Sequence, residues 1–182
     1  MSINKEEGVV SERLVFSPVG VIRSPFHDVK GMPIQPAAAH DVPGQVIVDH
    51  AYSEGLKDIE GFSHIIVIYC FHSSRGFALT VTPFLDAAPH GVFATRAPRR
   101  PNPIGISVLK LLRREPNTLH VTGVDVVDGT PLLDIKPYVP CFDAPQADAI
   151  GWLEGKAALL ENTKSDSRFE QENGVPAHTE NH

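Results

Sequence analysis

Two stretches, Ile104-Gly105-Ile106-Ser107-Val108-Leu109-Lys110-Leu111-Leu112 and Leu119-His120-Val121-Thr122-Gly123-Val124-Asp125-Val126-Val127, decide the fold class. Both are rich in Val, Ile and Leu, which favour extended backbone. The intervening Glu115-Pro116-Asn117 is typical of a turn. We interpret the two stretches as a pair of neighbouring strands.

Further short apolar runs lie on both sides of this pair, and each is a strand candidate: Leu14–Ile22, Val46–Val48, Phe62–Phe71, Leu79–Thr82, Val92–Thr95 and Leu132–Val139. Sixteen Pro and 14 Gly disfavour long helices. Helix is expected only near Ser53–Leu56 and, in weak or broken form, between Pro145 and Leu160. Short strands at this spacing predict a mainly β, single-domain β-barrel with short helices rather than a doubly wound Rossmann sheet.

Length and composition predict one globular domain. The chain has 182 residues, of which 42% are hydrophobic and 21% charged. We expect a flexible N-terminus over residues 1–13, the barrel domain over 14–162 and a disordered tail over 163–182. No apolar run reaches the roughly 18 residues that a membrane span needs. The polar N-terminal sequence does not resemble a signal peptide, so the expected compartment is the cytoplasm, where Cys70 and Cys141 would be reduced thiols.

The most unusual segment for function is Gly91-Val92-Phe93-Ala94-Thr95-Arg96-Ala97-Pro98-Arg99-Arg100-Pro101-Asn102-Pro103-Ile104-Gly105. Its three prolines restrict the backbone, and its three arginines suit carboxylate or phosphate groups. A stiff loop of this kind predicts a preorganised binding site. The alternative is a solvated turn whose arginines only aid solubility. Because the net charge is −6, binding of nucleic acid by bulk electrostatics is not expected.

Two other segments carry candidate site residues. Along the last predicted strand, Asp134, Lys136 and Tyr138 alternate and share one face, with Ile135 on the other. Alternation alone favours a solvent face over a site wall. The long connection Ser24–Pro36 is a candidate binding loop or an ordinary mobile loop, in which Phe26 and Met32 could stack on a base and Gln35 could bind a polar edge.

Metal and common cofactor motifs are missing from the sequence. Nine histidines occur, but there is no His-Glu-x-x-His and no Cys-x-x-Cys. His64 and His72 would lie about 26 Å apart on an extended strand, too far to share one ion. We therefore predict no metal site. Gly-x-Gly-x-x-Gly, Walker and Gly-x-Ser-x-Gly motifs are also absent.

Taken together, several blocks resemble the TrmO family, also called TsaA-like or YaeB-like proteins. In chain order the blocks are Gly20-Val21-Ile22-Arg23-Ser24-Pro25, Phe62-Ser63-His64, Phe71-His72, Gly91-Val92-Phe93-Ala94-Thr95-Arg96, Arg100-Pro101-Asn102-Pro103-Ile104-Gly105 with Ser107, and Asp128-Gly129-Thr130-Pro131 through Asp134-Ile135-Lys136-Pro137-Tyr138. The resemblance covers about residues 15–143.

This resemblance implies an S-adenosylmethionine-dependent methyltransferase built on a β-barrel. Its expected substrate is N6 of threonylcarbamoyl-adenosine at position 37, in the anticodon loop of tRNA. The family also implies a homodimer with the cofactor pocket near the subunit interface. Two alternatives remain open: the same cofactor with a small-molecule acceptor, or a dimer that binds S-adenosylmethionine without catalysis.

The candidate residue roles combine this resemblance with the chemistry of the side chains. The expected catalytic residues are Asp134 and Tyr138, as groups that accept or orient a proton, and Arg100. The expected cofactor-binding residues are Gln35, His72, Arg96, Arg100, Asn102, Asp128, Thr130 and Leu132. The expected substrate-binding residues are Arg99, Lys136 and Lys30. Because Pro101 favours an extended Arg100, we expect Arg100 to face the pocket, Arg99 to point the opposite way, and neither to lie in the core.

The sequence departs from the family pattern in two places. Ile34 stands where the family's first loop usually has Arg, which removes one expected charge from the rim of the site. A polar tail follows the barrel, where longer family members carry a C-terminal domain.

Overall fold

The computed structural model describes residues 13–32, 39–156 and 165. Its eight strands are, in chain order, β1 (Gly20–Arg23), β2 (Pro43–Val48), β3 (His64–Cys70), β4 (Thr80–Val81), β5 (His90–Gly91), β6 (Ile104–Arg114), β7 (Thr118–Thr122) and β8 (Thr130–Pro137). Six of them close into an antiparallel barrel in the order β1-β2-β7-β6-β3-β8, and β8 pairs with β1. The short β4 and β5 form a separate ladder. The predicted barrel class is confirmed.

The barrel interior is filled by alternate side chains of its strands. In β3 the buried residues are Ile65, Val67 and Tyr69, while their neighbours are less buried. The long β6 alternates in the same way, with Leu109 and Leu111 inside. Period-two burial of this kind gives each strand one face toward the core. Other strands complete the core with Ile22, Val46, Val48, Leu119, Val121 and Leu132, and Val124, just after β7, joins them.

The helices are short, as predicted. Within the described ranges, 3₁₀ helices include His50–Leu56, Ile59–Gly61, Val92–Ala94 and Gly151–Leu153, and an α-helix, α1, spans Pro140–Asp143. The Asp49 carboxylate caps the first of them by accepting the Ala51 N–H. In the expected helical stretch between Pro145 and Leu160, only Gly151–Leu153 is helical among the described residues.

Several strand boundaries differ from the prediction. The expected strand over Val92–Thr95 is wrong, because the Thr95 N–H bonds back to the Val92 carbonyl and makes a 3₁₀ turn. The first strand begins only at Gly20, and the apolar residues Leu14, Val15 and Phe16 before it are exposed. Strand β7 ends at Thr122, since Gly123 follows with φ +94°, outside the extended region.

A β-bulge divides β8 into two parts. Tyr69 pairs with Leu132, but the residue before it in β3, Ile68, pairs with Asp134. Leu133 is therefore the extra residue, and the alternation of β8 reverses there. Leu132 points into the core, while Asp134 lies on the outer face with 48% of its side chain exposed.

Beyond the bulge, Asp134 and Lys136 lie on the same face of β8, as predicted. The Lys136 Nζ lies 2.7 Å from Asp134 Oδ2, so both side chains are on one face. Ile135, on the other face, packs against the core.

The predicted terminal segments lie largely outside the described residues. Residues 1–12 of the expected N-terminal segment are not described, and Ser165 is the described residue within the expected tail. Its backbone exchanges hydrogen bonds with Gly31 and Met32. Across the described ranges, no helix is long and apolar enough to cross a membrane.

Candidate functional site

A cavity of about 780 Å³ opens where the C-terminal end of β3 meets the N-terminal end of β6. This volume is in the usual range for small-molecule sites. The residues before β8 and a long excursion between β3 and β6 supply further walls. The polar and charged side chains in its wall are His72, Ser73, Ser74, Thr95, Arg96, Arg100, Asp125, Thr130 and Ser165, and the aromatic ones are Tyr69, Phe71, Phe84, Phe93 and Trp152.

One wall of the cavity depends on the absence of a side chain at Gly105. A Cβ added at this position would lie 2.3 Å from the Cε2 atom of Tyr69, far inside van der Waals contact. The Tyr69 ring therefore lies directly against the Gly105 backbone, and it contacts Phe71 edge to face with 5.3 Å between ring centroids. This glycine is required by close packing rather than by its backbone angles.

A chain of hydrogen bonds joins the barrel interior to the cavity. The Ser107 hydroxyl donates to Asp125 Oδ1 at 2.7 Å. Since a serine hydroxyl has one hydrogen, the Tyr69 hydroxyl, 3.1 Å from Ser107 Oγ, donates to that oxygen. Tyr69 and Asp125 both line the cavity, and Ser107 is buried behind them.

Burial controls the protonation of this chain. It raises the pKa of the Asp125 carboxyl to about 6, although the Ser107 hydrogen bond and the positive charge of Arg96 oppose the shift. Burial likewise raises the pKa of the Tyr69 hydroxyl, so Tyr69 stays neutral. A carboxyl group with a pKa near 6 beside a ligand cavity can accept a proton near neutral pH.

The arginine-rich loop forms the opposite wall. Arg96 and Arg100 both line the cavity. The Arg100 Nη1 donates to the carbonyls of Val92, Thr95 and Ala97, at 3.2, 2.9 and 3.4 Å. Its guanidinium also lies 5.8 Å from the centroid of the Phe93 ring. Arg100 thus holds the loop in shape, and its Nη1 is already engaged there.

The predicted exposure of Arg99 is wrong. We expected this side chain to lie outside the core, but the residue is only 9% exposed. In the described part of the chain it does not belong to the cavity wall either. Arg100 faces the cavity and Arg99 does not, as predicted.

The structure brings four of the predicted site residues to the cavity: His72, Arg96, Arg100 and Thr130. Gln35 and Ile34 lie outside the described residues. The remaining predicted residues are described but are not part of the cavity wall: Lys30, Arg99, Asn102, Asp128, Leu132, Asp134, Lys136 and Tyr138.

Asp128 and Leu132 make structural contacts in this chain, and their predicted cofactor contacts stay predictions. Asp128 accepts the Ser24 N–H at 3.1 Å and pairs with Arg23 at 3.2 Å. These contacts hold the pKa of its carboxyl below the usual value, with the Ser24 hydrogen bond as the largest cause. Asp128 therefore ties the end of β1 to the turn before β8. Leu132 is fully buried in the core.

Asp134, Lys136 and Tyr138 lie beyond the bulge, on the outer side of the barrel. The Asp134 carboxylate accepts a hydrogen bond from the N–H of the next residue, Ile135, and pairs with Lys136. The Tyr138 ring lies edge to face with His64, at a centroid distance of 6.1 Å. Strict alternation would have placed Asp134 on the same side as Leu132. The bulge is the physical reason that these two side chains point to different sides of the barrel.

Sequence reasoning missed the Tyr69, Ser107 and Asp125 chain. One signal was present: Asp125 is the one charged residue in the apolar run Val124–Val127. A carboxylate in such a run needs a partner when buried. The partner, Ser107, is 18 positions earlier in the sequence, and only the strand pairing shows that they meet.

The cavity suits an organic ligand better than a metal ion. Among the described residues, no group of three or more His, Cys, Asp or Glu could hold a metal. The wall instead combines aromatic rings, two arginines and one carboxylate. Such a wall fits a ligand with a planar base and with groups of both charges.

Comparisons with known proteins agree with this geometry. A family model described as tRNA-methyltransferase O N-terminal domain matches residues 21–144. A probable S-adenosyl-L-methionine-binding protein of Pyrococcus abyssi is 54% identical over 156 residues, which cover 86% of this chain and 85% of that protein. The tRNA (adenine(37)-N6)-methyltransferase of Homo sapiens is 36% identical over 142 residues, 73% of this chain but 32% of that protein.

A solved structure extends the likeness to three dimensions. The crystal structure of TrmO from Pseudomonas aeruginosa superposes with a TM-score of 0.65 at 38% identity, covering 78% of this chain and 63% of that chain. This chain therefore spans a little under two thirds of that TrmO chain and about a third of the human enzyme. From the barrel, the cavity and these matches we conclude that the chain belongs to the TrmO family.

Proposed function

We propose that this protein is an S-adenosylmethionine-dependent methyltransferase that modifies N6 of adenosine 37 in tRNA. The observation that carries the proposal is the cavity in which Asp125, Arg96 and several aromatic rings converge. Family membership supports the reaction class, since the matching domain is described as part of a tRNA methyltransferase.

The wall residues fit the proposed cofactor. S-adenosylmethionine, when bound, supplies an activated methyl group on a positively charged sulfur. The cavity offers Arg96 to a carboxylate, Asp125 to a positive charge or a hydroxyl, and aromatic surface to an adenine base. Thr130 shapes the wall through its hydroxyl, which donates to the Val127 carbonyl at 2.7 Å.

Asp125 is the group we assign to proton acceptance. The acceptor nitrogen must lose its proton when it gains a methyl group. A carboxylate with a pKa of about 6 is ionised at pH 7 and basic enough to take that proton. The Ser107 hydroxyl fixes Oδ1 of Asp125, and Tyr69 in turn fixes Ser107. The proton therefore moves from the substrate nitrogen to a carboxylate whose orientation is set from inside the barrel.

The predicted catalytic roles of Asp134 and Tyr138 stay predictions. Both side chains lie away from the cavity of their own protomer, so they could serve only a cavity in a second copy. Arg100 stays a candidate for substrate contact through its remaining guanidinium nitrogens. Lys30 and Lys136 remain proposed contacts of tRNA, whereas Arg99, only 9% exposed, is too buried for the contact that the sequence predicted.

We also propose a homodimer. The outer face of β6 exposes Ile104, Ile106, Val108 and Leu112, an apolar row of the kind that a second copy would cover. Ile104 and Ile106 line the cavity as well, so a partner seated there would lie next to the site. Light scattering of the Ile106→Asp and Val108→Asp variants tests this: they should be monomers, and a wild-type monomer would contradict the proposal.

We propose the threonylcarbamoyl form of adenosine 37, in the anticodon loop, as the substrate, and the cytoplasm as the compartment. To test it, the purified chain is incubated with methyl-labelled cofactor and tRNA from cells that lack this activity. Mass spectrometry of the nucleosides should show the methyl group on threonylcarbamoyl-adenosine. Cofactor binding without methyl transfer to any tRNA would contradict the proposal and favour the non-catalytic dimer. Methyl transfer only to a small-molecule fraction would favour a small-molecule acceptor.

A further inference from the structure

We propose that the segment Gly151–Lys156 is a wall of the cofactor site and that Trp152 is its ligand-contacting side chain. This inference rests on the proposed function, because it takes S-adenosylmethionine as the ligand. The segment lies outside residues 21–144, the range matched by the family model. Nothing in the family match therefore assigns it a role.

Trp152 is fixed in the cavity wall by two contacts. Its Nε1–H donates to the Ala94 carbonyl at 2.8 Å. One face of its ring stacks on His90, with 4.8 Å between centroids and 20° between planes. Both Trp152 and Leu153 line the cavity, so an occupant of the cavity meets this segment directly.

Asp86 anchors the far end of the segment. Its Oδ2 accepts hydrogen bonds from Lys156 Nζ and from His90 Nε2, the latter at 3.1 Å. Its Oδ1 accepts the Ala88 N–H at 3.2 Å. Lys156, Asp86, His90 and Trp152 therefore form a continuous set of contacts, and the side chain of Asp86 is only 16% exposed. This set clamps the segment to the excursion between β3 and β6.

The clamp also acts on the arginine-rich loop. Ala94, which accepts the Trp152 hydrogen bond, is two residues before Arg96. Carbonyls before and after Ala94, those of Val92 and Thr95, accept hydrogen bonds from Arg100. One tryptophan thus fixes the loop that presents the cavity's arginines and supplies aromatic surface to the same cavity. The structure links these two properties in a single side chain.

The inference has a direct optical test, since the chain contains a single tryptophan. S-adenosylhomocysteine is titrated into the full chain while tryptophan emission and acrylamide quenching are followed, with calorimetry in parallel. We expect the emission to change with the same midpoint as the heat, and quenching to fall as the ligand covers the ring. Saturable heat with unchanged emission and quenching would overturn this inference alone. Absence of any heat would instead contradict the proposed function.

Variants separate ligand contact from support of the loop. Trp152→Ala should weaken S-adenosylhomocysteine binding about tenfold or more, as expected when stacking on an aromatic ring is lost. Trp152→Phe keeps a ring but lacks the Nε1–H, so its loss should be smaller. Lys156→Met tests the clamp and should weaken binding by about threefold, the scale of a partly exposed ion pair.

Phe142→Ala is the matched control, because Phe142 is also an aromatic residue after the barrel but is 79% exposed and away from the cavity. Its ligand affinity should equal that of the wild type. If Trp152→Ala does not fold, Trp152→Phe and Lys156→Met carry the test. Wild-type affinity in both of these variants would overturn the proposal.

Discussion

Two polar regions of this barrel differ in how far they are exposed to solvent. Asp125 and the arginine-rich loop face a cavity whose surface is largely aromatic and aliphatic. Asp134, Lys136 and Tyr138 lie on the outer face, where Asp134 pairs with Lys136. The two carboxylates differ in their surroundings: burial raises the pKa of Asp125 to about 6, whereas Asp134 is half exposed.

The bulge at Leu133 explains why Asp134 lies on the outer face. One extra residue in β8 reverses the alternation, so side chains two positions apart point to different sides of the barrel. Burial away from water raises the proton affinity of a carboxylate. The comparison therefore favours Asp125 over Asp134 for the proposed proton-accepting role.

The largest expected effect separates these two carboxylates. Asp125→Asn should lower the methyl-transfer rate at least about 100-fold, the usual range for loss of a general base. Asp134→Asn, its matched control on the outer face, should stay within about threefold, because an exposed ion pair contributes little. Single-turnover kinetics at saturating cofactor measure both. A loss at Asp134 as large as that at Asp125 would mean that the outer face supplies the proton acceptor.

The second expected effect concerns the wall behind Asp125. Gly105→Ala places a methyl group against the Tyr69 ring and should reduce the free energy of unfolding by about 1–3 kcal/mol through overpacking. Gly91→Ala is the control, since no atom lies within 4 Å of its added Cβ. Chemical denaturation of both variants checks the difference. Equal stability would show that Tyr69 moves aside without cost.

The third expected effect concerns the arginine-rich loop. Arg100→Lys replaces a planar group that reaches three carbonyls with a point charge. Cofactor affinity should fall about tenfold, corresponding to about 1.4 kcal/mol. Arg75→Lys, at an exposed position in the same excursion, should leave the affinity unchanged. If calorimetry gives equal affinities for the two variants, the loop does not depend on Arg100.

The last expected effect is on the pH dependence of stability. Because the folded pKa of Asp125, about 6, lies above its unfolded value, the folded state binds more protons between about pH 4 and 6. Asp125 therefore lowers stability as the pH rises through this window. Compared with the wild type, Asp125→Asn should gain relative stability from pH 4 to pH 6. Parallel curves of unfolding free energy against pH would contradict the raised pKa.

Most of the barrel was predictable from local patterns. The paired runs around β6 and β7 and the apolar run of β3 have the composition and spacing of strands. Val92–Thr95 was assigned wrongly, because its 3₁₀ turn depends on bonds from Thr95 and Arg100 to the Val92 carbonyl. Strand propensities do not predict such bonds.

The candidate site was predictable only in part. Arg96 and Arg100 stood out because prolines stiffen their loop. Asp125 and Ser107 did not, because their contact depends on how β6 lies against the residues after β7. The position of Asp134 could not be predicted either, since a bulge at Leu133 leaves no mark in the hydrophobic pattern.

The central claim is that the cavity beside Asp125 is the cofactor site, and a crystal structure with S-adenosylhomocysteine tests it most directly. We predict ligand density in the cavity, with the ligand in contact with Arg96 and within hydrogen-bond distance of Asp125. Density on the outer face near Asp134, with the cavity unchanged, would contradict the account.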